Sequence, residues 1–432
     1  MLAGGFNTGL FPLLKYIIKK AYRPDPAFAL RSENGGRSFF IYDPGPSMAI
    51  YLILLMCTLT HAAFAGSRVV VSLYALDHGA SQMTIGVFMA LYALCPLFIA
   101  VWIGKLADRV GPRLPMLLGS TGVVVALLLP PLFPGLTVLF ISALLIGTSF
   151  HFFFVTVTGI TGGIGGEENR VRNYALVSLG FSGASFVGPV VAGFSIDHLG
   201  HLPAFVLLAL FPAVTTLLLC FNGGFLPRAV KSGGGDKKDA IDLLRIPALR
   251  DALIASGIIA AAYDLFQFYM PVYGHAINLS ASAIGVVIGF CALATFTIRV
   301  ALPYLVRRLS EWDVLTYAIF VAASAFALFP FYRDAFSLAA ISFLFGLGIG
   351  CGQPMSMSLI YLLSPHGRAA ESAGLRVMVN NLGHLAMPLI FGSLGAALGF
   401  YPVFISNSVL LVAGGALMRW SSGRNPGDHE SL

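Results

Sequence analysis

Eight polar side chains stand inside stretches otherwise suited to a lipid interior: His61, Arg68, His151, Asp264, Gln267, Arg299, Gln353 and His384. Polar and ionisable groups are expensive at membrane depth and mark ion or substrate paths. Asp264 is the strongest candidate for a proton carrier. Desolvation favours the protonated form of a carboxyl and a nearby cation favours the ionised one, so its occupancy follows its surroundings. His61 and His151 titrate closer to neutrality and share that work, or else are hydrogen-bonded core residues. Arg68 lies one or two turns from His61 and pairs with Asp264 or binds an anionic group. Arg299 and Arg376 are further cavity or gate candidates, and His384 adds polar surface beside Asn380 and Asn381. No nucleophile elbow, phosphate loop, metal-ligand spacing or dinucleotide fingerprint accompanies them, which predicts neither enzyme, metal nor cofactor. Cys57, Cys95, Cys220, Cys291 and Cys351 have no paired spacing and read as small core residues.

Positioning such groups requires a membrane scaffold. Hydrophobic residues are 57% of the chain and charged residues 10%, against about 45–50% and about 25% in soluble domains. Apolar runs near the roughly 20 residues that cross a bilayer as a helix recur twelve times. They fall near 49–75, 83–104, 114–133, 135–163, 173–199 and 202–221, then 250–273, 282–306, 313–331, 335–363, 373–399 and 402–420. They lack the two-residue alternation of barrel strands, so helices are expected.

The chain also repeats itself. A shift of 199 positions lays Ile85-Gly86-Val87 on Ile284-Gly285-Val286, Leu106 on Leu305, Pro189 on Pro388, Gly193 on Gly392 and Gly200 on Gly399. One constant offset through Gly and Pro positions indicates a duplicated half. The expected fold is therefore an all-α integral membrane protein, with twelve transmembrane helices in two pseudo-symmetric six-helix bundles. Residues 48–221 and 250–420 form the bundles, 222–249 a cytoplasmic linker and 421–432 a cytoplasmic tail. Asp239 to Arg245 reads as a short helix entering the seventh span. Residues 1–47 read as a disordered cytoplasmic extension. A basic amphipathic helix over Phe11 to Tyr22, and a native start at Met48, are the competing readings.

Basic residues gather in alternate connections, from Lys105, Arg109 and Arg113 through Arg170, Arg172 and the linker to Arg307, Arg308 and Arg368. The opposite connections carry Arg333 alone. This bias places both termini in the cytoplasm. It accounts for the net charge of +7 without a nucleic-acid partner.

Gly104 to Arg113, GKLADRVGPR, resembles the loop motif GxLaDrxGrr of the major facilitator superfamily, matching at Gly104, Leu106, Asp108, Arg109, Gly111 and Arg113. Gly104 is expected to admit a neighbouring helix and Gly111 a tight turn. The resemblance implies that Asp108 meets the positive end of the eleventh span near Gly374 to Arg376, closing the cytoplasmic side. Residues Gly183 to Gly193 are similar to the family's gxxxGPxxGG motif at Gly183, Gly188, Pro189 and Gly193, with Ala192 replacing one glycine. That motif packs helices and is associated with proton-exchanging exporters. The arginine that many such exporters carry in span four is absent from Gly147 to Phe152, so coupling by that route is not expected.

In this family spans one, four, seven and ten line a central cavity, which implies that His61, His151, Asp264 and Gln353 converge at one level. Aromatic residues surround them: Phe150, Phe152, Phe153 and Phe154 near His151, and Tyr263, Phe266, Tyr269 and Tyr273 near Asp264. At least half of these are expected to be packing or lipid contacts. The resemblance implies a secondary transporter that exports its cargo against protons by alternating access. The apolar, aromatic surroundings point to small amphipathic organic compounds as that cargo, and compact loops without sorting signals to the bacterial inner membrane, where a monomer is expected. An importer of a small organic anion anchored by Arg68 and Arg299, and a non-transporting receptor on the same fold, are the alternatives.

Overall fold

A computed structural model describes residues 46–164, 169–222, 226, 240–365 and 368–424. The expectations for residues 1–45, for most of the linker and for most of the tail lie outside the described residues, while residues 46 and 47 belong to the first helix.

Among the described residues, twelve long helices follow one another in chain order. The first six are α1 (Pro46–Asp77), α2 (Gln82–Val110), α3 (Arg113–Leu132), α4 (Leu136–Thr161), α5 (Arg170–Leu199) and α6 (His201–Asn222). A 3-10 helix over Ala240–Arg245 then leads into α7 (Pro247–Ala276), where the sequence places a short helix before the seventh span. The series continues with α8 (Ala281–Leu305), α9 (Glu311–Leu328), α10 (Ala335–Leu362), α11 (Ala369–Leu398) and α12 (Phe400–Arg424). All twelve are long and apolar enough to cross a membrane. Within each half the helices pair alike: α1 with α5, α2 with α4 and α3 with α6, then α7 with α11, α8 with α10 and α9 with α12. The halves meet chiefly where α5 packs on α8 and α2 on α11.

The 199-residue register reappears in three dimensions. Ser81 and Ser280 cap α2 and α8, each hydroxyl accepting the amide three residues on at 3.2 Å. Gly200 and Gly399 turn the chain with φ of 90° and 83°, backbone that other residues rarely adopt. A Cβ on Gly86 would stand 2.3 Å from the Pro388 carbonyl oxygen, and one on Gly285 2.3 Å from that of Pro189. Each seam between the halves therefore closes backbone against backbone at equivalent positions. Such contact gives membrane helices the packing that hydrophobicity alone does not supply between them.

Both seams lie toward the end of the molecule that carries Asp77, called here the Asp77 end; the other is the Arg113 end. At the Asp77 end, the Asp197 carboxylate on α5 accepts the Ala281 and Ser282 amides at 3.0 and 2.8 Å. An acid of one half thus caps the helix start of the other. His201 Nε2 of α6 and His275 Nδ1 of α7 approach the two Asp77 oxygens at 2.6 and 3.7 Å.

The motif over Gly104–Arg113 is less a loop than the end of a helix, because α2 continues through Val110 before Gly111 turns at φ 85°. Gly104 has nothing within 4 Å of its ideal Cβ, so it does not serve close approach. Arg113 instead donates to the Leu219 and Cys220 carbonyls at 3.1 and 2.8 Å, satisfying the end of α6. Asp108 and Arg109 are exposed and Leu106 is half-buried. In the second motif Gly188 is the contact glycine, its Cβ position 2.2 Å from the Ala62 carbonyl of α1. Gly193 meets the Ala281 carbonyl at the start of α8, while Gly183 meets nothing within 4 Å.

Candidate substrate and proton site

Among the described residues, two neighbouring cavities inside the bundle share His61 of α1 as a wall. The first, of about 230 Å³, is lined from α1, α2, α4, α7 and α11 by residues that include Arg68, Tyr92, His151, Asp264, Asn381 and His384. The second, of about 170 Å³, is lined from α1, α5, α7, α8 and α10 by residues that include Ser182, Ser185, Tyr263, Arg299 and Gln353. The expected convergence of α1, α4, α7 and α10 is therefore divided. His61, His151 and Asp264 share one chamber, while Gln353 faces His61 in the other.

Asp264 is the hub of the larger chamber. Arg68 Nη1 donates to its Oδ1 at 3.3 Å, and His384 Nδ1 pairs with its Oδ2. With side chains only 9% and 14% exposed, Asp264 and Arg68 form a largely desolvated ion pair that crosses from α1 to α7. Such a pair stands because each charge compensates the other; alone, either would be strongly disfavoured. His151 turns its Nδ1 to the Gly147 carbonyl one helical turn back, at 2.8 Å, and its ring abuts Phe64, Phe150 and Phe154. A carbonyl only accepts, so Nδ1 carries the proton of a neutral ring and Nε2 is its acceptor nitrogen.

His61 Nε2 bonds the Ser185 hydroxyl at 3.0 Å, and that hydroxyl donates onward to the Phe181 carbonyl at 2.9 Å. The buried Nδ1 of His61 has no hydrogen-bond partner among the described residues. Phe64, Phe150 and Phe181 enclose the ring, with centroids at 6.0, 5.4 and 5.0 Å.

Arg299 reaches from α8 to α5, where its Nη1 donates to Ser178 and Ser182 at 3.1 and 2.9 Å. Arg376, a cavity or gate candidate, turns toward α10. Its Nη2 donates to Gln353 Oε1 at 2.7 Å and to Ser356 at 3.3 Å, which anchors α11 on α10. Gln267 is buried, is in the lining of neither chamber, and donates to the Tyr263 hydroxyl at 2.8 Å. Among the expected aromatics, Phe150, Phe154 and Tyr263 line chambers. Phe266 packs on Phe345, Phe153 lies in a separate core, and Tyr269 and Tyr273 bond Gln82 and the Tyr332 carbonyl. Ser178, Ser182 and Ser185 were missed by sequence reasoning, since serine is cheap in any helix. Their three- and four-residue spacing, facing an unpaired arginine elsewhere, is the signal that identifies them.

The profile of the Major Facilitator Superfamily matches residues 53–386. A tetracycline resistance protein, class G, of Vibrio anguillarum is 26% identical over 336 residues, 72% of this chain and 80% of that one. The multidrug resistance protein MdtG of Dickeya zeae is 24% identical over 403 residues, 88% and 96% of the two chains. Among solved structures, the nucleoside transporter NupG matches with a TM-score of 0.73 at 13% identity, over 86% of this chain and 99% of that one. A bacterial homolog of the human lysosomal transporter Spinster, inward-facing and unoccupied, matches with a TM-score of 0.69 at 16% identity, over 88% and 97%. The family match, the twelve spans and the doubled architecture agree: the chain belongs to the Major Facilitator Superfamily and is a multi-pass membrane transporter, not an enzyme.

Proposed function

We propose that the protein is a proton-coupled exporter of small amphipathic organic compounds, working as a monomer by alternating access in the bacterial inner membrane. Both termini face the cytoplasm in this reading, which makes the Asp77 end periplasmic and the Arg113 end cytoplasmic. The observation that carries the proposal is the tie of Asp264 to Arg68 and His384, at mid-span and between the halves. A proton arriving on Asp264 removes the charge that holds Arg68, so the tie between α1 and α7 weakens. Protonation and substrate binding then couple through their different affinities for the two conformations of the cycle. The resistance proteins among the relatives support export. The apolar and aromatic chamber walls suit amphipathic molecules better than heavily hydroxylated ones.

The test uses inverted membrane vesicles energised with a proton gradient and a panel of amphipathic compounds that includes tetracycline. Gradient-driven accumulation in the wild type and its loss in Asp264→Asn are expected. Gradient-independent movement, or an Asp264→Asn variant that accumulates normally, would refute proton coupling through this residue. Accumulation only in right-side-out vesicles would support the importer. No flux with any compound would leave the receptor.

A further inference from the structure

The smaller chamber has a chemistry of its own. Its lining contains no carboxylate among the described residues, yet Arg299 presents a full positive charge to it. Unlike Arg68, Arg299 has no acidic partner among the described residues and is held by two serine hydroxyls. Both serine contacts fall on Nη1. The Nε–H is buried and without a partner, and Nη2 makes no hydrogen bond among the described residues. Nε and Nη2 share one edge of the guanidinium, the edge that grips a carboxylate or phosphonate through two parallel bonds. A cation within a span and without a counter-charge is costly, and an anionic ligand relieves that cost.

Gln353 adds a second donor. Arg376 can only donate, so the atom of Gln353 that meets it at 2.7 Å must be the amide oxygen. The Gln353 NH2 group is thereby left to donate, and no described residue accepts from it. The remaining walls include Phe181, Ile259, Tyr263 and Ile349, a surface for an apolar or aromatic body.

We infer that this chamber is an anion subsite, in which the unpaired edge of Arg299 and the Gln353 amide hold the carboxylate or phosphonate of a small organic acid while the apolar walls take its body. The inference deepens the proposed transport reading by naming a substrate class, and rests on it for the claim that the occupant is cargo. Proton traffic and cargo then occupy adjoining chambers on either side of His61.

The experiment measures thermal stabilisation of the purified, full-length protein in lipid nanodiscs by 2-naphthoate and by 2-naphthamide, which share a body and differ in charge. The acid is expected to raise the unfolding temperature and the amide is not. Arg299→Gln is expected to weaken the acid's apparent affinity by about ten- to a hundredfold, the worth of hydrogen bonds to a charged group. Arg299→Lys, which keeps the charge and loses the fork, is expected to fall between. Should Arg299→Gln fail to fold, Gln353→Met provides the second reading, with a smaller loss for the acid only. No stabilisation by the acid, equal stabilisation by acid and amide, or an acid response unchanged in the variant that folds would each overturn the subsite. Acid-selective binding that survives alongside a failed vesicle assay would sink the transport reading and keep the subsite; the reverse pattern would do the opposite.

Discussion

Adding a single methyl group at either seam is expected to drive the two halves apart at the Asp77 end. In Gly86→Ala the new carbon would lie 2.3 Å from the Pro388 carbonyl oxygen, and in Gly285→Ala 2.3 Å from the Pro189 oxygen. Both obstacles are helical backbone, which cannot swing aside as a side chain does. To reach the 3.4 Å of ordinary contact, each seam has to open by about 1.1 Å. Overpacking of this kind costs about 1–3 kcal/mol, and opening relieves it. The balance between closed and open states should therefore shift by about five- to a hundred-and-fiftyfold. Paired spin labels on Met83 of α2 and Leu398 of α11, both exposed at the Asp77 end, report the separation once the five cysteines are replaced. A larger long-distance population is expected in Gly86→Ala and Gly285→Ala, and a further increase in the double variant. Gly183→Ala and Gly104→Ala are the controls, because nothing lies within 4 Å of either Cβ position. Distance distributions for the seam variants that match those of the controls would refute the reasoning.

Three further outcomes are expected. Asp264→Asn strands Arg68 as a buried cation and should destabilise the protein by about 3–5 kcal/mol; adding Arg68→Gln should recover part of that loss, and an additive double variant in thermal unfolding would show that the two do not interact. Asp197→Asn removes a charged cap from α8 and should cost about 0.5–2 kcal/mol at the Asp77 end, with the Met83–Leu398 distances moving as in Gly86→Ala. At the Arg113 end, Arg368 bonds both Asp242 oxygens at 2.7 and 2.8 Å and holds that carboxyl below the usual carboxylate range. A lowered carboxyl contributes stability above its unfolded value and loses it as pH falls through the lowered one. Protection of the 240–246 amides, taken relative to their intrinsic exchange rates, should therefore be flat from about pH 8 to pH 5 and fall only below about pH 4.

Helices and their number were legible because a bilayer enforces long apolar runs, and the duplication was legible because glycine and proline mark backbone constraints that both copies keep. Asp264 stood out for the same reason that it is costly: a carboxyl in an apolar run has no bland explanation. Its partnership with Arg68 was one of two readings that one-dimensional spacing allowed, since 196 residues separate them. Arg376 illustrates the limit. Its place at the start of α11 left cavity and gate both open, and its partner was not legible, because a guanidinium on a long stem goes to the best acceptor within reach and Gln353 is contributed by another helix. Gly104 and Gly183 fit family patterns without making close contacts, whereas Gly86, which serves neither motif, makes one. Whether a glycine faces a neighbour depends on helix rotation, and nearly uniform apolarity on every face leaves no periodic signal to set it. The division of the interior into two chambers was likewise hidden, because it depends on how the rings around His61 stack.

The glycine-to-carbonyl contacts on opposite flanks also bear on leakage. A membrane protein that shuttles cargo must never offer ions a continuous thread of water, and a barrier fastened along one margin alone could gape at the other. Here the margins carry the same fitting, copied 199 residues apart, with polypeptide pressed on polypeptide too closely at the glycines to admit even a methyl group. If the two margins part together, as their shared register leads one to expect, this end of the molecule would behave as shut or released, with little room for a state that stands ajar.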